Sequence, residues 1–416
     1  MEEHVAAVMS YLDENRDELL DYACELIAAP SMNPPGDERA MAEAVAHRLD
    51  ALGIVGAEIK AKAPTRPNVL CQLDGDSAGP TLLYNGHIDT KPIGERSQWR
   101  TDPLRGEVVD GQLYGLGIGD MKGAVAALVY AAAALRFAGV SLGGNLVLAF
   151  TADEEAGSVY GADYLVEKKL VMADAAIFGE PAGVQEEWQG IYLISRGISC
   201  FRIRVWGTQM HSSVAGLLPA VNASAKMAYV LWRMDRDLQA RIQCPPHPWS
   251  SQGAKANVGV IVKGGVFWGV YPGYAEFGVD VRTMPGMTRE GVRRDVEAFL
   301  DELRREDPEL KVQLEFEPEP LGWIRPSEIA ASHPIVGALQ KASEVVFGTA
   351  PPLSAYPATT DAPKIQYGLG IPSVAAFGPG RLPLAHSPNE HIAVESLRQA
   401  AQVYALCALN YLGAKP

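Results

Sequence analysis

The sequence predicts an α/β protein with a mostly parallel sheet covered by helices on both faces and a smaller α+β domain inserted into it. Short apolar runs alternate with helical segments over residues 1–190 and 311–416, which is typical of a parallel sheet. Between residues 191 and 310, alternating strands and charged helices indicate an antiparallel sheet. A chain of 416 residues is long enough for two such domains.

The larger predicted domain begins with two helices in residues 1–60, around a Pro- and Gly-containing loop, PSMNPPGDE. The apolar runs NVLCQL, PTLLYNGHID, NLVLAFTADEE and DAAIFGEP predict strands, and a long helix follows Gly123. The stretch IPSVAAFGPG and the helix ESLRQAAQVYALCALNYL return to this pattern. These elements predict one domain formed from both ends of the chain.

The inserted domain is predicted from period-two and helical patterns. In FRIRVW, Phe201, Ile203 and Val205 alternate with two arginines, which indicates a half-buried strand. The runs ANVGVIVKGG and YAEFGVDVRTMPG add two strands, and NASAKMAYVLWRMDRDL and TREGVRRDVEAFLDELRRE predict amphipathic helices. We therefore expect a small α+β domain over residues 191–310.

Composition and charge exclude several classes of partner. A net charge of −14 with no basic cluster disfavours nucleic-acid binding. Five cysteines, odd in number and without a CxxC pair, disfavour a disulfide framework or a thiolate zinc site. The N-terminus lacks the features of a signal peptide, and the apolar segment ending at Arg136 is short for a membrane span. We expect a cytoplasmic protein with no membrane partner.

Several polar residues follow predicted strands or interrupt glycine-rich loops. His87 and Asp89 come just past a strand, and Glu180 follows another. Asp120, in GIGDMKG, precedes a helix, where the alternative role is a helix N-cap. His386, in LAHSPNE, follows a Gly/Pro loop. Taken singly, His87 and His386 are also compatible with surface histidines, and Glu180 with a loop acid.

Glu154 and Glu155 stand side by side where the strand GNLVLAF ends. If the strands that precede these polar residues are neighbours, one cleft collects four carboxylates and two imidazoles. Unpaired carboxylates at close range repel by about 4 kcal/mol per pair at an effective dielectric of 20. Divalent cations would remove this repulsion, and one carboxylate can bridge two ions in a two-metal site.

The ordered set GHIDTKP, YGLGIGDMKG, TADEEAGS, FGEP and AHSPNE resembles the co-catalytic zinc amidohydrolase family. That family includes acetylornithine deacetylase, succinyl-diaminopimelate desuccinylase, aminoacylases and bacterial glutamate carboxypeptidase. The resemblance implies a catalytic domain interrupted by a lid and dimerisation domain, and a homodimer formed through the lid. It also implies two divalent ions per chain, with zinc as the first expectation and cobalt or manganese as alternatives.

The resemblance implies roles for the clustered residues. Glu154 would be the general base, and Asp89 an orienting acid behind the metal ligands. The implied ligands comprise one bridging acid and two residues for each ion: Asp120 as the bridge, His87 with Glu180, and Glu155 with His386. These roles would explain why two glutamates are adjacent: a metal neutralises Glu155, and Glu154 stays free to take a proton.

Three residues of the inserted domain also match the family. His211, in GTQMHSS, would reach across the dimer to stabilise the developing oxyanion. Asn257 and Arg282 would contact the carbonyl or carboxylate of the substrate, for which the arginine fork is suited. Without the family, His211 is a loop histidine, and Arg282 is compatible with a local salt bridge to Asp280.

The sequence therefore predicts a hydrolase that cleaves an amide-type C–N bond of a small carboxylate, such as an N-acyl amino acid, by a metal-bound hydroxide. An alternative is release of an amine from an activated aromatic acid or a ureido compound. Leu116, where many relatives carry arginine, and the aromatic stretch from Phe267 to Tyr274 motivate it. A binding protein without catalysis conflicts with the intact ligand set, and nucleotide binding with the absence of GxGxxG.

Overall fold

The computed structural model describes residues 2–414. Within that range the ten α-helices are α1 (Glu2–Glu14), α2 (Arg16–Ala28), α3 (Arg39–Ala51), α4 (Gly123–Phe137), α5 (Ala162–Lys168), α6 (Ala223–Arg241), α7 (Arg289–Glu306), α8 (Pro334–Phe347), α9 (Ala362–Leu369) and α10 (Val394–Leu412). The strands are β1 (Glu58–Ala61), β2 (Pro67–Leu73), β3 (Thr81–His87), β4 (Glu107–Val109), β5 (Gln112–Tyr114), β6 (Asn145–Thr151), β7 (Ala175–Phe178), β8 (Pro181–Gly183), β9 (Ile191–Ser195), β10 (Gly197–Trp206), β11 (Met210–His211), β12 (Lys255–Gly264), β13 (Val270–Tyr271), β14 (Tyr274–Thr283), β15 (Lys311–Phe316), β16 (Ser327–Glu328), β17 (Leu353–Ala355), β18 (Ser373–Val374), β19 (Gly378–Arg381) and β20 (His391–Ala393).

The main sheet has the strand order β1-β2-β6-β3-β7-β18. Strands β6, β3, β7 and β18 are parallel neighbours, and β2 is antiparallel to the strands on either side of it. On one face, Leu83 and Phe178 belong to an apolar cluster that includes side chains of α5 and α9. On the other face, the hydroxyl of Tyr84 donates to the carbonyl of Tyr404 in α10 at 2.6 Å. The predicted α/β class is confirmed.

The strand order of this sheet brings together the polar residues that follow the strands. Strand β3 pairs with β6 on one side and β7 on the other. The last residue of β3 is His87, β6 ends at Thr151, and β7 ends at Phe178. Because parallel strands end at the same edge, the residues that follow them are carried to one place.

The chain forms two compact units, and the second comprises Arg196–Ser327 and Pro357–Thr359. Its antiparallel sheet has the order β12-β14-β10-β15, with α6 packed beside β12 and α7 beside β15. These bounds differ from the predicted 191–310 at both ends. Strand β9 pairs with β17 of the first unit, whereas β15 pairs with β10, so that Ile203 lies opposite Leu314.

The first 60 residues contain three helices rather than the predicted two. Asn15 separates α1 from α2, and its side-chain amide donates to the carbonyl of Tyr11 at 2.7 Å. Asparagine competes with the helical backbone in this way, which explains the interruption. Further along, the stretch Ile118–Phe137 is long and apolar enough for a membrane span, but the 18-residue window that meets this criterion is buried inside the protein, as expected of a core helix.

Candidate metal centre

His87 lies at the end of the central strand β3 and is 1% exposed, so it is not a surface histidine. Its Nδ1 lies 3.0 Å from the carbonyl oxygen of Asp89, and its Nε2 lies 2.9 Å from Oδ1 of Asp120. The Nε2 atom is also 4.0 Å from Oε1 of Glu180. Burial lowers the pKa of His87, but hydrogen bonds to Asp120 and Asp89 outweigh it and raise that pKa well above 6.5.

Asp120 sits in the turn before α4 with φ −128° and ψ 83°, outside the helical region. The N-cap of α4 is Lys122, so the alternative role of Asp120 as a helix cap is wrong. Its two carboxylate oxygens face different imidazoles. Oδ1 lies 2.9 Å from Nε2 of His87, and Oδ2 lies 3.2 Å from Nε2 of His386. A carboxylate divided between two imidazoles is arranged as a bridging ligand would be.

His386 and Glu155 form the second half of the cluster. Nε2 of His386 lies 2.9 Å from Oε1 of Glu155. The imidazole is 46% exposed at its side chain, whereas the Glu155 side chain is only 4% exposed. The ammonium of Lys91 lies 3.3 Å from Oε2 of Glu155 and also donates to its backbone carbonyl. Glu155 therefore stands between an imidazole and an ammonium group.

Glu154 and Glu180 complete the cluster, and the surroundings of both disfavour the ionised carboxylate. Glu180 is 6% exposed, and burial, followed by the charge of Asp120, raises its pKa well above 4.5. Burial and the charge of Glu180 likewise raise the pKa of Glu154. In Asp120 burial acts in the same direction, but hydrogen bonds from His386 and His87 outweigh it and lower the pKa. More acid is buried here than the two imidazoles neutralise.

This donor set fits divalent cations. Ligand atoms of His87, Asp120 and Glu155 all lie within 4.8 Å of one another. Imidazole nitrogens and carboxylate oxygens are the donors that zinc, manganese and cobalt accept. A cation would also supply the positive charge that the buried carboxylates lack.

Asp89 supports the cluster from behind and is fully buried. Its Oδ1 accepts a hydrogen bond from the backbone N–H of Glu154 at 3.0 Å, and its Oδ2 accepts one from that of Glu155 at 3.1 Å. Oδ1 also lies 3.6 Å from Nδ1 of His87. Asp89 thus fixes the backbone of the adjacent glutamates, a contact that the spacing of HxD does not reveal.

The residues predicted in the inserted domain all lie in the second compact unit. His211 is exposed at the end of β11, and its Nδ1 accepts a hydrogen bond from the backbone N–H of Ser213 at 3.3 Å. Asn257 is half-buried on β12, opposite Asp280 of β14. Nε and Nη2 of Arg282 both lie 3.0 Å from Oδ2 of Asp280, so the local salt bridge considered as an alternative is present.

Two charged residues at the centre were not singled out in the sequence. Glu390 is 2% exposed and accepts hydrogen bonds from three backbone N–H groups of the loop that carries Asp120. Lys91 contacts Glu155. Glu390 ends the motif AHSPNE and Lys91 lies in the motif GHIDTKP, so their positions in those motifs were the available signal.

A model of peptidase family M20/M25/M40 matches residues 83–410. A succinyl-diaminopimelate desuccinylase from Parvibaculum lavamentivorans is 28% identical over 407 residues, covering 95% of this chain and 96% of the relative. An N-formyl-4-amino-5-aminomethyl-2-methylpyrimidine deformylase from Bacillus subtilis is 26% identical over 420 residues, covering 97% and 96%.

Solved structures share the fold. The di-peptidase Dug1p from Saccharomyces cerevisiae superposes with a TM-score of 0.78 at 17% identity, covering 100% of both chains. A dinuclear metal-binding M20 peptidase from Bacillus subtilis gives a TM-score of 0.64 at 18% identity, covering 97% of this chain and 100% of that one. With a family match over most of its length, this chain belongs to peptidase family M20/M25/M40 and is a metal-dependent hydrolase of the amidohydrolase and metallopeptidase type.

Proposed function

We propose that this enzyme removes an acyl group from the nitrogen of a small carboxylate substrate, such as an N-acyl amino acid, by hydrolysis of the amide-type C–N bond. The proposal rests on the position of Asp120. Its Oδ1 lies 2.9 Å from Nε2 of His87, and its Oδ2 lies 3.2 Å from Nε2 of His386. The two relatives described above support it, because their names refer to the removal of a succinyl and a formyl group.

The donor set would hold two divalent cations. His87, Glu180 and Oδ1 of Asp120 would hold one ion, and His386, Glu155 and Oδ2 of Asp120 the other. When bound, the ions would act as Lewis acids and lower the pKa of water at the site. We propose zinc, with cobalt or manganese as alternatives that the same nitrogen and oxygen donors accept.

Glu154 is proposed as the general base. Its carboxylate would accept a proton from the attacking water and return it to the leaving nitrogen as the C–N bond breaks. Burial raises its pKa well above 4.5, the direction that suits a group exchanging protons near neutral pH. The backbone N–H of Glu154 donates a hydrogen bond to Oδ1 of Asp89 at 3.0 Å, which fixes the position of the backbone that carries the base.

The second unit would supply the remaining groups and the dimer contact. His211 would donate to the oxygen that becomes negative during attack, acting on the partner chain, and Asn257 and Arg282 would contact the substrate. Strand β12 stands at the edge of its sheet, with Val260, Ile261 and Val262 at least 42% exposed. An apolar sheet edge favours pairing with a second copy, and hence a homodimer. We expect the enzyme in the cytoplasm.

Metal analysis combined with a substrate panel tests the proposal. Protein purified without chelator is analysed for zinc, manganese and cobalt, then assayed with N-succinyl, N-acetyl and N-formyl amino acids. We expect two ions per chain, amide hydrolysis that a chelator abolishes, and recovery on adding zinc. Full metal loading without hydrolysis of any member of the panel would contradict it.

A second candidate, release of an amine from an aromatic substrate, is favoured by one observation. Phe267 and Trp268 are 76% and 90% exposed on the loop before β13. That loop is tied to the strand of His211, because the backbone N–H of Ser212 donates to the carbonyl of Gly269 at 2.9 Å. Trp268→Ala would then reduce kcat/KM for aromatic substrates alone. Trp232→Ala, at another exposed tryptophan on α6, serves as the control.

A further inference from the structure

The loop PSMNPPGDE contributes one polar side chain to the interior beside the metal centre. Asn33 is 3% exposed, and its Nδ2 donates to Oδ2 of Asp89 at 2.9 Å and to Oδ1 of Asp153 at 3.0 Å. A primary amide has two N–H donors, and here both are directed at carboxylates. Asn33 therefore joins two buried acids that follow different strands of the main sheet.

Arg66 determines which way this amide points. The guanidinium is buried, with Nη1 3.4 Å from Oδ1 of Asn33 and Nη2 donating to Oδ1 of Asp153. Gly36 makes room for it: at φ +83°, a Cβ there would lie 1.0 Å from Nη1 of Arg66. Because a guanidinium offers only donors, the amide oxygen of Asn33 faces it and the NH₂ group faces the acids.

Asp153 begins the turn that carries the adjacent glutamates. Its φ is +68°, in the left-handed region that residues other than glycine seldom adopt. Its Oδ2 accepts a hydrogen bond from the backbone N–H of Tyr160 at 3.2 Å, and its carbonyl accepts one from Ser158 at 2.6 Å. Contacts from Asn33 and Arg66 therefore hold the residue that sets the direction of the chain into Glu154.

The second acid joined by Asn33 holds the glutamates themselves. Oδ2 of Asp89 accepts hydrogen bonds from both Nδ2 of Asn33 and the backbone N–H of Glu155. We propose that Asn33 is a positioning residue: its amide, oriented by Arg66, fixes the two acids and through them the backbone that presents Glu154 and Glu155 to the metal centre. The roles of those glutamates rest on the proposed function, whereas the effect on metal binding can be measured without it.

Asn33→Asp tests this role with almost no change of shape. The substitution replaces both donors by an acceptor between Asp89 and Asp153, where carboxylates repel. We expect the zinc dissociation constant to rise by about 10- to 100-fold, as for other residues that support metal ligands. It is measured by competition with a chromogenic chelator on the full chain. On the best substrate of the panel, we expect kcat to fall by a similar factor with KM unchanged.

Asn68→Asp is the matched control. Asn68 is likewise buried, but its Nδ2 donates to the backbone carbonyls of Lys60 and Tyr160 at 3.1 and 2.9 Å rather than to carboxylates. Its Oδ1 accepts a hydrogen bond from the backbone N–H of Ala152 at 3.0 Å, which an aspartate oxygen can keep. We expect this variant to lose Tm while keeping wild-type zinc affinity. Wild-type affinity in Asn33→Asp, or equal losses in both variants, would overturn the proposal.

Two further provisions keep the test decisive. If Asn33→Asp does not fold, Arg66→Lys is measured in the same way, because it keeps the buried charge but loses the fork that orients the amide. Wild-type zinc affinity in Arg66→Lys would overturn the proposal. If no substrate is found in the panel, the zinc affinities alone decide, so failure of the proposed function is distinguishable from failure of the positioning role.

Discussion

The backbone N–H of Asp120 donates to the buried carboxylate of Glu390 at 3.0 Å, across 270 positions of sequence. The same carboxylate accepts hydrogen bonds from Gly117 at 3.0 Å and Gly119 at 2.8 Å. One side chain thus satisfies three N–H groups of a loop that has no helical partners for them. Glu390 holds this loop so that Asp120 presents one oxygen to each imidazole.

Glu390→Gln is expected to weaken this loop and with it the metal centre. A glutamine has one acceptor oxygen and turns its NH₂ toward backbone donors, so at least one buried N–H is left unpaired, at a cost of about 1–3 kcal/mol. We expect a lower Tm by calorimetry and fewer than two ions per chain by elemental analysis. Glu187→Gln is the control, because Glu187 accepts one hydrogen bond, from Ala393, that a glutamine oxygen can keep. Two ions and an unchanged Tm in Glu390→Gln would refute the role.

The adjacent glutamates should respond differently to the same substitution. Glu154→Gln removes the proposed base but no proposed ligand, so we expect two ions per chain and a kcat lowered by about 10²- to 10⁴-fold. Glu155→Gln removes the charge of a proposed ligand beside His386 and should lower the metal content. Elemental analysis and steady-state kinetics on both variants separate the roles. Near-wild-type turnover by Glu154→Gln would exclude it as the base.

His211 provides a test of action between chains. We expect His211→Ala to keep its metal and to lose about 10²- to 10³-fold in kcat, the effect of removing an oxyanion donor. If the histidine acts on the partner chain, heterodimers of His211→Ala and Glu154→Gln contain one site with both groups intact. Co-expression with two affinity tags isolates such heterodimers, whose activity should exceed that of either parent. No recovery in verified heterodimers would argue against action on the partner.

The polar residues at strand ends could be predicted because each follows an apolar run whose pattern is local. His87 and Glu155 were identified in this way and Asp120 from its place in a glycine-rich loop before a helix, and ligand atoms of all three lie within 4.8 Å of one another. Asn33 and Glu390 were not identified from the sequence, because their roles depend on contacts with residues 56 and 270 positions away. The sequence around Asn33 is that of an ordinary turn. Nothing in it indicates the hydrogen bonds from Asn33 to Asp89 and Asp153, which are distant in sequence.

The predicted bounds of the inserted domain, 191–310, differ from those of the second compact unit for a similar reason. Strand β15 has the sequence KVQLEF, in which polar and apolar residues alternate, but this pattern does not encode which sheet the strand joins. Pairing of β15 with β10, seen in the register of Val205 with Val312, assigns it to the second unit. Strand partners separated by more than 100 residues are fixed by packing of the whole domain rather than by local propensity.

Because Glu38 is buried, we expect the stability of the protein to depend on pH. It is fully buried and lies 3.3 Å from Nε of Arg66. Burial, followed by the charge of Asp89, raises its pKa from 4.5 to about 8, although Arg66 opposes the shift. Between these values the folded protein keeps a proton that the unfolded chain has lost. The stability contributed by this proton is therefore fully present below pH 4.5 and is lost as the pH rises to about 8.

We expect the Tm of chelator-treated wild-type protein to fall more steeply between pH 4.5 and 8 than that of Glu38→Gln, which has no proton to lose there. Calorimetry at several pH values measures both slopes, and the comparison removes the contribution of every other titrating group. Glu43→Gln, at an exposed position of the helix that follows Glu38, should retain the wild-type slope. Equal slopes for wild type and Glu38→Gln would mean that Glu38 is already ionised in the folded protein at pH 4.5. The charge of Arg66 would then outweigh the burial of the carboxyl group.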